Sequence, residues 1–294
     1  MSSISPSFTI EPAGPFSLAA SARFIAGWPP AKDLTATEDD AVRLCFALDS
    51  FRGHAGVTIS QHGEGLNVHT TGDGTPDEVR SQTARILSLD HDATGMDQVL
   101  RADAVVARLH RESGGLRPVL FHSPYEAAAW SVISARINHR QAQDLRTALS
   151  KELGATLDVE GVSMAAFPLP DRLLELDSFP GLPAEKVRRL HAVADAALAG
   201  RLDAHHLRSL ATDEALSQLQ EIRGIGPFYA GLVLVRAVGV TDVLPPTAEP
   251  RLLAAVARAY GLEEPIGAEE LERITDGWRP YRTWVAVMVR ATAG

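Results

Sequence analysis

At 294 residues and 45% hydrophobic content the chain can bury a real core and should divide into two or three domains, and its single cysteine, Cys45, excludes both a disulfide framework and a four-cysteine iron–sulfur cluster. A net charge of −9 argues against a protein that coats nucleic acid indiscriminately, since that affinity comes from neutralised phosphates. A local cationic face remains open to it, built from arginine, because only Lys32, Lys151 and Lys186 of the 28 basic residues are lysines.

The chain begins with an α+β pattern. Residues 7–10 alternate like a strand, as do parts of 41–48 and 56–69, while 76–90 and 94–112 carry helical periodicity. Glu112-Ser113-Gly114-Gly115-Leu116-Arg117-Pro118 has the composition of a linker, which puts a first domain at 1–113 and a second at 114–294. The second reads as helical throughout, with turns marked by Gly and Pro. Ser123-Pro124 opens a helix to about Ala135, and Asn138 caps the next, to about Glu152. After Phe179-Pro180-Gly181-Leu182-Pro183 comes a helix that stops at Gly200, its apolar stripe formed by Val187, Leu190, Val193, Ala194 and Ala197.

Residues 213–238 read as two helices joined by a tight turn. Asp213 can cap the first, whose apolar positions Ala215, Leu216, Leu219 and Ile222 share one face. Gly226 then caps the second, with Pro227 at its first position, where a missing N–H costs nothing. Glycines 224 and 226 leave the amides of that helix start uncovered beside the positive end of its dipole, which suits an anion; an isolated Gly-x-Gly is more often an ordinary helix–helix turn. Further on, Trp278, Tyr281 and Trp284 read as core. The ten histidines show no zinc-binding spacing, and neither a phosphate-binding loop nor a nucleophile elbow is present. Nothing at the N-terminus looks like a leader and no run approaches about 18 apolar residues, so a cytosolic, non-membrane protein is expected.

Leu219-Gln220-Glu221-Ile222-Arg223-Gly224-Ile225-Gly226-Pro227-Phe228-Tyr229-Ala230, together with Asp242-Val243-Leu244-Pro245-Pro246 and Trp278-Arg279-Pro280-Tyr281-Arg282, resembles the helix-hairpin-helix DNA glycosylase superfamily, nearest to the bacterial 3-methyladenine DNA glycosylase II group. The resemblance implies a mainly α protein with a small N-terminal antiparallel-sheet domain and a glycosylase core of two helical subdomains. It further implies base-excision repair of 3- or 7-methyl purines in double-stranded DNA by base flipping, in a monomer working on the nucleoid in the bacterial cytosol. Arg136, in Ser134-Ala135-Arg136, falls where relatives carry the residue that wedges into the base stack; the alternative is a surface arginine at a helix end. Arg223, Gly224, Gly226 and Arg251 would hold the DNA backbone, and the carbonyls of Gln220, Ile222 and Gly224 a sodium or potassium ion, with no other cofactor. Phe228, Leu232 and Arg290 match the base pocket, with one stacking ring among them.

The chemistry is where the chain departs from that family. The catalytic aspartate position falls on Ala248, which has no acid–base capacity. Glu249, one residue on, either supplies the carboxylate from a shifted loop or is an acid at a helix start, favoured there by the dipole. No lysine stands at the hairpin, so a lyase step through a Schiff base is not expected and the enzyme would be monofunctional. Two functions remain: a glycosylase of altered specificity, or a catalytically impaired DNA-binding, lesion-recognition protein on the glycosylase fold.

Overall fold

The computed structural model describes residues 6–27, 35–38, 41–244, 249–263 and 266–292. In chain order the N-terminal elements are β1 (Ser7–Ile10), α1 (Leu18–Gly27), β2 (Thr35–Glu38), β3 (Ala41–Ala47), β4 (His54–His62), β5 (Gly65–Gly72) and α2 (Pro76–Ile86). The five strands form one antiparallel sheet in the order β1-β5-β4-β3-β2, in a register that sets Leu44 opposite Val57 and Val57 opposite Thr70. Val42, Leu44 and Phe46 alternate onto one face with Val57, Ile59, Leu66 and Val68, and α1 and α2 cover that face through Leu18, Ile25, Val79 and Ile86.

Residues 42–47 of β3 are nevertheless buried without alternation, because the opposite face is covered as well. The cover is a hairpin of β6 (Thr156–Val159) and β7 (Val162–Ala165), whose Val159 and Met164 close over Cys45. This corrects the expectation that 114–294 is helical throughout. The hairpin turns on Glu160 and Gly161, both at positive φ (49° and 83°), the backbone that a two-residue strand connection requires. Gly56 of β4 is needed beneath it, since a Cβ there would lie 2.6 Å from Val159 Cγ2.

The stretch 94–112 is two helices, α3 (Met96–Ala102) and α4 (Ala104–Ser113), where the sequence suggested one. Asp103 divides them, extended at φ −131° and ψ 106°, with its carboxylate accepting the Val105 and Val106 N–H groups. Both helices pack away from the sheet: Met96, Val99, Val106 and Leu109 share a cluster with Leu252, Val256, Trp278, Trp284 and Val289. The sequence boundary near residue 113 therefore runs through a shared core.

The remaining helices are α5 (Pro124–Ser134), α6 (His139–Leu153), α7 (Pro170–Leu174), α8 (Ala184–Leu198), α9 (Ala204–Ser209), α10 (Thr212–Gln220), α11 (Pro227–Val233), α12 (Pro250–Tyr260), α13 (Ala268–Asp276) and α14 (Arg282–Thr292). They form two groups. Around α5, every residue of which from Pro124 to Ile133 is buried, gather α6, α8, α10 and α11 through Tyr125, Trp130, Leu190, Leu219, Ile222 and Val233. The second group is α12–α14 with α3 and α4. No helix of the described residues is long and apolar enough to cross a membrane.

Past Val233 the helix widens into a π turn over Leu234–Val238 that ends at Gly239, at φ 80°. Its carbonyls find partners elsewhere: Arg236 O accepts from Phe121 N–H (2.7 Å), Ala237 O from Arg85 (2.9 Å), Val238 O from Arg208 (2.6 Å) and Gly239 O from His91 Nε2 (2.8 Å). The helical hairpin is thereby tied to α2, to the chain leading into α5 and to α9.

Candidate functional site

The turn between α10 and α11 is shaped by its two glycines in different ways. Gly224 is left-handed at φ 98°, and a Cβ on it would lie 2.8 Å from Cδ of Arg189, so both backbone and space demand glycine. Gly226 is extended at φ −90° and ψ 180°, and a Cβ there would meet nothing within 4 Å: the start of α11 is open to solvent. The first helical bond, Ala230 N–H to Gly226 O, leaves the Phe228 and Tyr229 amides without an acceptor inside the helix. α10 starts at Thr212 after Ala211, which puts Asp213 in its first turn and not at its cap. Of the carbonyls of Gln220, Ile222 and Gly224, which lie along this turn, that of Ile222 already accepts the Ile225 N–H at 2.9 Å, leaving its second lone pair for any cation.

Phe228 projects from the hairpin, 54% exposed, with its ring edge-on to Tyr229 at 5.4 Å. Leu232, one turn on, packs partly buried against the α5 core. Arg223 is not a free hand: its Nη2 lies 3.2 Å from both oxygens of Glu185 in the first turn of α8. Hydrogen bonds from Arg188 and then Arg189 hold the Glu185 carboxyl below its ordinary range.

Arg136 stands at the apex of the turn between α5 and α6. It is exposed and left-handed, at φ 60°, a conformation that costs a residue with a Cβ about 1–2 kcal/mol and that collects at functional sites. Asn138 closes the turn by accepting the Gln141 N–H at 2.9 Å. From α8, the Lys186 ammonium donates to the Ile133 carbonyl at 2.6 Å, capping the end of α5 just ahead of Arg136; burial, then the charge of Arg189, lowers its pKa. Lys186→Met keeps the stem and removes the donor. We expect it to cost about 1 kcal/mol in thermal unfolding and to speed tryptic cleavage after Arg136 several-fold, as read by limited proteolysis.

Inside α5, Glu126 is fully buried with Arg146 Nη2 at 2.5 Å and His122 Nδ1 at 3.6 Å from one oxygen. Burial alone would raise the Glu126 pKa; the charges of His122 and Arg146 outweigh it and bring the group down to about 2. The helix that carries the Arg136 turn is thus pinned at its base by an ion cluster.

Glu249 is the N-cap residue of α12, but its carboxylate does not cap. It pairs with Arg290 from the last turn of α14, Oε2 to Nη1 2.5 Å, both side chains about one-third exposed (31% and 34%). Arg290 therefore brings no uncompensated positive charge. Arg251 lies exposed in the first turn of α12. Ala248, with Pro245, Pro246 and Thr247, lies outside the described residues. Asp242 binds Arg282 at 2.6 Å and Arg279 at 2.8 Å, which ties residue 242 to the start of the helix that bears Arg290. Sequence reasoning passed over Glu185, Arg188, Arg189 and Lys186, although an acid followed at three and four residues by arginines on a helix is a legible pairing signal.

No protein-family model matches the chain. The DNA-3-methyladenine glycosylase of Bacillus subtilis (strain 168) is 23% identical to it over 200 residues, 67% of this chain and 66% of that protein, so the match spans just under two thirds of the relative's length. The alkylbase DNA glycosidase-like protein mag2 of Schizosaccharomyces pombe is 24% identical over 177 residues, 58% of this chain and 78% of that one. Among solved structures, a 3-methyladenine DNA-glycosylase from Archaeoglobus fulgidus matches with a TM-score of 0.78 at 20% identity, over 97% of this chain and 98% of that chain.

Proposed function

We propose that the chain is a member of the helix-hairpin-helix DNA glycosylase superfamily, as its likeness to DNA-3-methyladenine glycosylases in sequence and fold supports, and that it removes alkylated purines from double-stranded DNA by breaking the bond between base and sugar. The observation that carries this reading is the carboxylate of Glu249, fixed by Arg290 at the start of α12 in a molecule whose hairpin presents an open helix start and an exposed ring at Phe228. A base must leave the stack before an enzyme can reach its glycosidic bond. In this reading Gly224, Gly226, Arg223 and Arg251 hold the backbone, Arg136 occupies the gap left by the flipped nucleotide, and Phe228 stacks on the base.

The C1′–N bond then breaks with its electron pair leaving on the base. A cationic 3- or 7-methyl purine departs neutral, so the group that needs help is the sugar cation, and a negative carboxylate supplies it. Water adds its oxygen to C1′ and gives up a proton, for which Glu249 is the acceptor. No lysine stands at the hairpin to capture C1′, so the product is an abasic site with an intact strand. We place the protein in the cytoplasm as a monomer, with a sodium or potassium ion against the carbonyls of Gln220, Ile222 and Gly224.

Purified protein incubated with methylated duplex DNA should release 3-methyladenine or 7-methylguanine, read by chromatography, while a uracil-containing duplex stays intact and no strand is nicked before alkaline treatment. Absence of released base at an excess of protein over sites, with binding to an abasic duplex retained, would replace this reading with lesion recognition without hydrolysis.

A further inference from the structure

We propose that Arg188 and Arg189, gathered with Arg223 on Glu185, extend the phosphate-binding surface from the hairpin turn onto the first turn of α8, taking the backbone of a nucleic acid strand there; this rests on the function proposed above. Arg188 Nε and Nη2 lie 3.1 and 2.8 Å from Glu185 Oε2, Arg189 Nε lies 3.0 Å from Oε1, and Arg223 Nη2 lies 3.2 Å from each oxygen. Glu185 is the one acid among the described residues within ion-pair distance of any of the three. Three guanidinium groups around one carboxylate leave two positive charges over, concentrated at one place on a chain whose net charge is −9.

The cluster faces solvent. The Arg188, Arg189 and Arg223 side chains are 56%, 38% and 59% exposed, so solvent, and with it a second anion, reaches the cluster, and each guanidinium has more N–H donors than Glu185 takes. It is also assembled in advance. The carboxylate holds the three groups together against their mutual repulsion, and the Arg189 stem packs beneath Gly224, so little ordering remains when a ligand arrives. Planar guanidinium forks match the oxygens of a phosphodiester, and several in a row match a chain of them better than a lone carboxylate.

Position selects the partner. On one side the cluster adjoins Gly224 and the open start of α11. On the other, the next residue of the same helix turn, Lys186, caps α5 just ahead of Arg136. A strand gripped at the hairpin and probed by Arg136 passes the first turn of α8, where these arginines neutralise its phosphates.

The test compares Arg188→Gln/Arg189→Gln with Arg108→Gln/Arg273→Gln, a pair of exposed arginines on α4 and α13 that changes net charge equally. Binding to a fluorescein-labelled duplex bearing a tetrahydrofuran abasic analogue is followed by anisotropy across a series of KCl concentrations. In the α8 variant the log–log salt slope should become shallower by about 1–2, with affinity at low salt down roughly tenfold, while the control keeps the wild-type slope. Thermal unfolding monitors the fold, and Arg188→Gln alone, expected to show about half the change, serves if the double variant unfolds. Equal slopes in wild type and α8 variants overturn this inference and leave the function standing. Failure of the wild type to bind the duplex at any salt overturns the function, and this inference with it.

Discussion

Arg146→Met is expected to lower stability at neutral pH by about 3–5 kcal/mol, the cost of leaving a buried carboxylate without its hydrogen-bonded arginine. The Glu126 side chain has no exposed surface and Arg146 is 4% exposed, so water cannot take over the lost hydrogen bond. Glu126→Gln/Arg146→Met should recover part of the loss, since the buried carboxylate and guanidinium are then removed together. The same pair shapes the acid limb of stability. Held at about 2 in the fold against an ordinary 4.5, the Glu126 carboxyl contributes fully above about 4.5, and its contribution is lost as pH falls toward about 2. Urea unfolding at pH 7 and pH 3 should therefore show a steep loss for wild type and a shallower one for Glu126→Gln. A cost below about 1 kcal/mol for Arg146→Met would mean that the cluster is solvated and not the anchor of α5.

Glu249→Gln is expected to slow base release from methylated DNA by about 10²–10³-fold under single-turnover conditions, while affinity for the abasic duplex stays within a few-fold. Glutamine preserves shape and removes the charge that the proposed mechanism sets against the sugar cation, which is the transition-state contribution and not the binding one. Arg290 positions the Glu249 carboxylate and does not itself carry the negative charge, so Arg290→Met should lower the rate less than Glu249→Gln does. Ala248→Asp in the Glu249→Gln background restores a carboxylate at the superfamily position and should return part of the rate. An unchanged rate in Glu249→Gln would assign the chemistry to the lability of the alkylated base alone.

The parts of the molecule legible in the sequence are those fixed by local chemistry. Gly-x-Gly-Pro marks the hairpin turn because left-handed backbone at 224 and a missing amide at 227 leave few alternatives. Ser123 and Asn138 are the caps they looked to be, each accepting an amide three residues on. What escaped was decided by distant partners. The strands β6 and β7 are four residues each and form because the exposed side of β3 needs a cover, which no periodicity records, although Glu160-Gly161 was a turn signal within reach. Arg223 looked like a phosphate contact in isolation; its tether to Glu185, 38 residues away, required the fold. Asp103 was the opposite case, a capping residue in plain view inside a stretch whose helical period ran on past it.

The π turn after α11 also decides how the protein can be divided. Two of the donors that satisfy its carbonyls, Arg85 and His91, come from the N-terminal unit, and the apolar side of α14 is covered by α3 and α4 from the same unit. A fragment beginning at residue 114 would keep the whole hairpin yet leave the Ala237 and Gly239 carbonyls without those partners, and Trp284 and Val289 without the α3–α4 wall that covers them. The N-terminal unit thus supplies hydrogen-bond donors to the hairpin and a wall to α14, and the segment that reads as a linker lies beside contacts that a cut there would break.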